Sequence, residues 1–442
     1  MRNFKSARWP IRIAAAAAFA AGMLAITSGA QASWTPIVTL TGSTWQGDSP
    51  VVSVDKNGDF LLAWAGINNK TPDCYSYIQL RTRSRTGSFG PVQTLTPCGP
   101  PMSFPAVASS PGGYGIVAWV RSDNHAIQAR LVSPAGKVGP VITVTPEYNQ
   151  TNTVNVAMSP TGQALVLWEG RQTQGTGPNG ILGRFITPNG ALGPVLEIGG
   201  GMSQTPSVAF DSTGTATVAW SDVSFSRAMA RRITPQKTLG KTEVILAPTP
   251  ATAATTSFSV PQIADDSSGD TFLVTSANVS STTKQVKHLV FRKWSKSGAL
   301  GPAITIANPV DDTALTADGA GDTVIAWTNY VNSTTSDVYA RRISHTGSLG
   351  PAVKLGTGFL PHAAVAPAGS GIITWQSTPF DSGLSTKLYD RLVSATAGSF
   401  GPLLPLTSNG MYAQVAEDAA GKFGVIWEGS TIGWPVYARF GP

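Results

Sequence analysis

Two glutamates, Glu169 and Glu428, each directly follow a tryptophan that recurs along the 442-residue chain. Two carboxylates sharing one pocket are what glycoside hydrolysis requires, one as acid and the other as base or nucleophile. These two fall in separate copies of a repeat, and linear sequence gives no separation between them, so catalysis by the pair is the weaker account. The histidines, His125, His288, His345 and His362, lack His-Glu-x-x-His spacing, and no Gly-x-Ser-x-Gly elbow exposes a serine nucleophile. Asp55-Lys-Asn-Gly-Asp59, Asp266-Ser-Ser-Gly-Asp270 and Asp318-Gly-Ala-Gly-Asp322 raise calcium as a ligand. Calcium takes six or more oxygens, and two carboxylates per segment fall short. A tight turn, with Asp accepting backbone amides and Gly taking positive φ, accounts better for the pattern. No cofactor or metal is therefore expected, calcium being the alternative.

These residues belong to a repeat. A Gly is followed six residues later by Trp at Gly58/Trp64, Gly113/Trp119, Gly162/Trp168, Gly214/Trp220, Gly321/Trp327, Gly369/Trp375 and Gly421/Trp427, while Gly269 is followed by Thr275. One arginine comes downstream in every copy: Arg81, Arg130, Arg184, Arg231, Arg292, Arg341, Arg391 and Arg439. The copies begin near residues 50, 105, 154, 206, 261, 313, 361 and 412. A period near fifty residues with strand-like segments marks a propeller or similar array.

In the fourth copy, Pro206–Phe210, Thr215–Trp220, Ala228–Ile233 and Thr242–Leu246 are short β-rich runs separated by turn residues. Four strands per repeat make a propeller blade. The expected fold is all-β: a single β-propeller spanning 33–442 with eight four-stranded blades, seven being the alternative because the fifth copy lacks its Trp. The eighth copy ends at Pro442 before a fourth strand, and Trp34-Thr-Pro36-Ile-Val-Thr-Leu40 matches the missing piece. Residues 33–48 are thus expected to complete the last blade and close the ring, which removes exposed sheet edges.

Within this frame the Trp is expected to be core between blades. The Arg is expected over that indole or against a turn carboxylate. Loops between second and third strands vary, and variable loops on a rigid scaffold are where binding residues concentrate. The binding candidates are Tyr75, Arg121, Asp123, Glu169, Asp222, Tyr330, Asp381, Glu428 and Trp434. Cys74 and Cys98 fall in loops of that same face and are expected to pair as a disulfide. The bridge would close a loop of ~25 residues, worth ~3 kcal/mol.

Residues 1–32 read as a secretion signal, with Arg2, Lys5, Arg8 and Arg12 before an Ala-rich apolar stretch and Ala30-Gln-Ala32 at the cleavage site. The stretch is short for a membrane span, and an uncleaved anchor is the alternative. The whole chain has 31 basic and 24 acidic residues, and without the four basic residues of the signal its net charge falls from +7 to +3. No basic run interleaved with aromatics marks a nucleic-acid surface. The expectation is a secreted or cell-envelope monomer whose partner is a glycan or an extracellular protein.

On these repeats the chain resembles secreted bacterial β-propeller repeat proteins, in the broad company of sialidase-like and WD-repeat-like propellers. The nearest element is the sialidase Asp-box, Ser-x-Asp-x-Gly-x-x-Trp, from which Asp211-Ser-Thr-Gly214 to Trp220 departs in spacing. The resemblance covers essentially all of the mature chain and rests on scaffold residues, so it implies fold rather than activity. A non-catalytic binding or scaffold protein acting through its loop face is the leading expectation. The alternative is a glycan-active hydrolase of sialidase type with its site at the central channel mouth.

Overall fold

The computed structural model describes residues 34–441 apart from 42–45, 68–75, 100–104, 122, 146–153, 171–179, 201–205, 223–224, 249–255, 260, 281–284, 309, 333–334, 380–385, 396–398 and 431–433. The described residues form eight antiparallel blades and no helix. Blade 4 is representative, with strands Ser207–Phe210, Ala216–Ser221, Ala228–Ile233 and Leu239–Leu246 paired in chain order. The first strand of each blade lies against the first strands of its neighbours all the way round, Met411–Glu417 of blade 8 meeting Gln46–Val54 of blade 1. The chain is an eight-bladed β-propeller.

Closure uses the N-terminal segment. Val38–Thr39 pairs with Val436–Phe440, placing Val38 opposite Ala438. The closing strand is shorter than 33–48, because Gln46–Asp48 already pairs with Ala65–Ile67 of blade 1 across a bulge before Val51. Proline opens the outer strand of seven blades, at Pro36, Pro91, Pro140, Pro194, Pro302, Pro351 and Pro402, whereas Lys241 takes this place in blade 4. Proline and lysine both discourage pairing at an exposed strand edge.

The repeat tryptophans fill the blade interfaces. Trp64, Trp119, Trp168, Trp220, Trp375 and Trp427 are all but fully buried, and Trp327 is 3% exposed. Each packs on the preceding blade, as Trp119 does on Leu61, Ala63, Ile78 and Leu80. Blade 5 has Thr275 at this position, but Trp294 from its third strand enters the same interface beside Phe258 and Leu273. Trp294 stands opposite Thr271, four residues from Thr275, where most other blades carry Val or Ile, and Phe258, opposite Ala277, packs into the same interface, so losing the motif does not cost a blade.

The Asp–Gly pair is an inter-blade joint. Asp211 Oδ1 accepts the amides of Thr213 and Thr215 at 2.8 and 2.9 Å, and Asp55, Asp266, Asp318 and Asp418 repeat the arrangement. The second carboxylate oxygen meets the turn glycine of the next blade. A Cβ built on Gly58, Gly269 or Gly321 would stand 2.5, 3.1 or 2.6 Å from Oδ2 of Asp418, Asp211 or Asp266. The φ of these glycines lies between 87 and 93°, a left-handed region that glycine enters without strain. In the Asp-x-x-Gly-Asp segments the second aspartate ties the turn to the blade's other hairpin. Asp59, Asp270 and Asp322 each accept the amide of Arg85, Lys296 or His345 at 2.7–2.9 Å.

The repeat arginines differ from expectation: none stacks on a repeat Trp among the described residues. Arg184 Nε donates to Gly193 O, nine residues on, at 2.6 Å, and its Nη1 donates to Val144 O of the preceding blade at 2.8 Å. Arg231 does the same with Gly240 and Ile198, and Arg292 with Gly301 and Ile245. Arg439 bonds Leu406 O at 3.1 Å and, through Nε, Thr35 O at 2.9 Å, so the N-terminal segment supplies the missing carbonyl. The reason is register. Arg231 stands opposite Val218, two residues before Trp220, and reaches the outer strand instead of the indole. Arg81 and Arg439 do lie over rings, but those of Phe89 and Trp34.

Candidate functional site

The loop face gathers the second-to-third-strand connections, and each candidate there has a distinct environment. Glu169 is half-buried opposite Ile181 at the end of its strand, and Glu428 is 4% exposed between Met411 and Val436. They occupy equivalent positions in blades 3 and 8, which share no interface, so the structure does not bring them together. The same position in blade 7 is Gln376, whose Oε1 accepts the amide of Tyr412 from blade 8 at 3.1 Å. Tyr412 has φ 54° at the bulge of its strand, where Leu360 and Ser49 of blades 7 and 1 have φ 51 and 52°.

Arg121 and Asp123 clasp each other within one loop, Nε to Oδ1 at 2.9 Å and Nη2 to Oδ2. That hydrogen bonding holds the Asp123 carboxyl below its usual range. Asp222 shapes its own loop, accepting the amides of Ser226 and Arg227 and the Ser226 hydroxyl. Tyr330 and Val331 are 53 and 55% exposed. They end a long hairpin, Thr323–Asn332 against Thr335–Ile343. Its ten-residue second strand exceeds the six-residue one of blade 4 by four, a rise of about 13 Å. The ring of Trp434 is exposed while its carbonyl accepts the Gly47 amide at 2.8 Å. Tyr75, Asp381 and Cys74 lie outside the described residues, and no cysteine is free among those described.

Three carboxyls, Asp265, Asp390 and Glu417, escaped the sequence reading, which took His362 only as a histidine without metal-ligand spacing, because only strand register reveals their setting. His362, Thr374 and Asp390 stand opposite one another across three strands of blade 7. Their side of the sheet, shared with Ile372 and Leu388, faces Val425 and Trp427 of blade 8. Blade 6 has Ala314, Ala326 and Ala340 at these positions. Burial pushes Asp390 up to about 7, Arg439 opposing, and lowers His362 to about 4. Asp265 and Glu417 end the first strands of blades 5 and 8. Burial lifts Asp265 to about 7, against the pull of Thr271 and Arg232, and Glu417 to about 9. The carboxylate oxygens of Asp265, Asp390 and Glu417 are buried without a geometrically formed hydrogen bond.

Clefts occur on the face opposite the variable loops. One of about 420 Å³ lies between the turns of blades 1 and 2, and one of about 410 Å³ lies at the equivalent place between blades 5 and 6. Among the described residues no three His, Cys, Asp or Glu side chains are grouped to hold a metal ion. No helix among them is long and apolar enough to cross a membrane.

No protein-family model matches the chain, and neither does any curated protein. It is similar in structure to a protein of unknown function from Dyadobacter fermentans DSM 18053, with 12% identity over 93% of this chain and 99% of that one and a TM-score of 0.42. The α-L-arabinanase of Penicillium chrysogenum complexed with arabinobiose gives 12% identity over 92% and 98%, with a TM-score of 0.44. A PL25 ulvan lyase gives 8% over 83% and 97%, with a TM-score of 0.47. Likeness at this level carries no activity to the chain.

Proposed function

We propose that this protein is an exported, non-catalytic binding propeller that engages a glycan or an extracellular protein through its variable loop face. The observation that carries the reading is the exposure of Tyr330, Val331 and Trp434 on that face from anchored backbone. Aromatic side chains held on rigid elements provide contact area at little entropic cost, as interface anchors require. Arg121–Asp123 and Asp222 are loop-shaping residues in this account, and Glu428 belongs to the position that in blade 7 holds the next blade's inner strand. Export rests on the charged and apolar N-terminus, and the Cys74–Cys98 bridge is proposed with it. The test is a glycan array and a cell-envelope pull-down, each run with protein from Ser33 onward and with a Tyr330→Ser/Trp434→Ser variant. Ligand captured by the native protein and lost in the variant supports the reading. Capture that the double substitution leaves unchanged refutes it.

A further inference from the structure

Arg83 breaks the repeat. It lies two residues after a repeat arginine, where Val132, Ile186, Ile233, Trp294, Ile343 and Val393 are apolar and buried in other blades. Arg83 instead sets its guanidinium 3.8 Å from the ring centre of Phe440, with Phe60 and Phe89 each at 5.9 Å. Phe440 packs edge-on against Phe60 and Phe89 at 5.1 and 5.8 Å, so the box around the cation is itself braced. Such stacking fixes the guanidinium plane and sheds water from it. Among the described residues Arg83 donates no side-chain hydrogen bond and meets no carboxylate within ion-pair distance.

Arg83 also lines the cleft of about 420 Å³ on the short-turn face, with Ser84, Ser88 and Ser133 and with Asp55 and Asp59 on the wall. We propose that this cleft binds a hydroxylated carboxylate, a hexuronate unit of an acidic saccharide, with the carboxylate on Arg83 and the hydroxyls on the serines and Asp59. The unpaired guanidinium fork matches a planar carboxylate in two parallel hydrogen bonds. The aspartates repel a doubly charged inorganic anion more than a singly charged carboxylate, and the Asp59 oxygen not engaged by the Arg85 amide can accept a hydroxyl donor. The volume falls within the usual range for small-ligand pockets. This site is on the opposite face from Tyr330 and Trp434 and stands independently of the loop-face reading.

The test is calorimetric titration of the mature protein with D-glucuronate, D-glucose and sodium sulfate at constant ionic strength, repeated on Arg83→Val. That substitution installs the residue of blades 2 and 7, and its Tm is expected to be unchanged or raised. The expected result is saturable glucuronate binding, at least tenfold tighter than glucose or sulfate and lost in the variant. Glucuronate no tighter than glucose, or equal affinity in Arg83→Val, overturns the proposal. Sulfate matching glucuronate overturns the saccharide assignment. Should Arg83→Val not fold, Arg83→Gln serves in its place with the same outcomes.

Discussion

Raising the pH from 5 to 8 should destabilise this propeller. Asp265 and Asp390, near 7 when folded, and Glu417, near 9, all stand above their unfolded values. The native state therefore holds protons that the unfolded chain has already released. Each such group adds stability below its unfolded pKa, and that stability is lost as pH climbs to the folded value. His362 opposes them: lowered to about 4, it loses stability as pH falls from its unfolded value, so it gains as pH rises. Three carboxyls outweigh one imidazole. At 1.36 kcal/mol per unit of displaced pKa, the net loss between pH 5 and 8 is on the order of 7 kcal/mol. For a domain of some 400 residues that corresponds to a fall in Tm of about 8 °C. Differential scanning calorimetry at pH 5, 6, 7 and 8 and fixed ionic strength reads it directly, with Asp390→Asn as control. The asparagine variant should show a shallower slope and gain relative stability at pH 8. A Tm that is flat or rises toward pH 8 would mean that the buried carboxyls find partners or water in solution, and the reasoning from unpaired burial would fail.

Other outcomes follow from the joints between blades. Gly58→Ala combines a φ of 91° with a Cβ placed 2.5 Å from Asp418 Oδ2, whereas Gly298→Ala has a φ of 90° and open space; the first should cost about 1–3 kcal/mol more in urea unfolding. Thr275→Trp restores the repeat motif yet should destabilise by about 1–3 kcal/mol, because it removes the buried Thr275 hydroxyl bond to Ser259 O and overpacks an interface that Phe258 already enters. Chelation with EDTA should leave Tm unmoved, since both aspartates of each Asp-x-x-Gly-Asp turn already accept backbone amides. A fall of several degrees, reversed by calcium, would assign the ion to those turns. A chain beginning at Gln46 should melt lower than one beginning at Ser33, and a synthetic peptide of residues 33–41 should recover part of the loss.

The blade pattern was legible because it is written once per copy and at a period no packing detail can disguise. Eight Gly positions, seven tryptophans and an unfinished last copy led to the ring, with Trp34–Leu40 as its closing piece. The arginines were legible as recurrent but not as directed. Sequence recurrence gives no register, and only the pairing of Arg231 with Val218 shows why the side chain turns toward the outer strand. Trp294 illustrates the same limit, since only the pairing with Thr271 shows that it enters the blade interface at a place other than that of the missing tryptophan. The row His362, Thr374 and Asp390 was invisible for a related reason. Its members are 12 and 16 residues apart and become neighbours only through the pairing of three strands. Arg83 was hidden by the opposite effect, one charged residue beside a repeated one, and an alignment of the copies on Arg81 would have exposed it.

Three departures from the repeat fall in one arc of the ring, and others, Thr275 and the buried Asp265, fall in blade 5. Ser49, Leu360 and Tyr412 take left-handed backbone in blades 1, 7 and 8; the buried polar row lies between blades 7 and 8; and Arg83 of blade 1 leans on Phe440 of blade 8. All three border the blade that two chain ends build together. In a repeat protein the identical positions maintain the scaffold, and positions that break local rules mark function or strain. The tryptophans of this arc remain standard, and blades 1 and 8 keep the turn aspartates Asp55 and Asp418, whereas blade 7 has Ala366 at that place. Closure uses the pairing of Val38–Thr39 with the last strand and the bonds of Thr35 and Leu40 to Phe440 and Val436; Arg83 adds only its stacking on Phe440, and the Asp390 carboxylate forms none of these bonds. Asp390 is therefore a cost that the scaffold bears without return, while Arg83 exchanges a buried apolar contact for its stacking on Phe440. Replacing each with the apolar residue of another blade, Asp390→Ala should raise stability and Arg83→Val should leave it unchanged or raise it, the two effects adding. Their retention would then have to be accounted for by ligand binding at the arc rather than by folding. A loss of stability in either variant would return that residue to the scaffold and remove the argument.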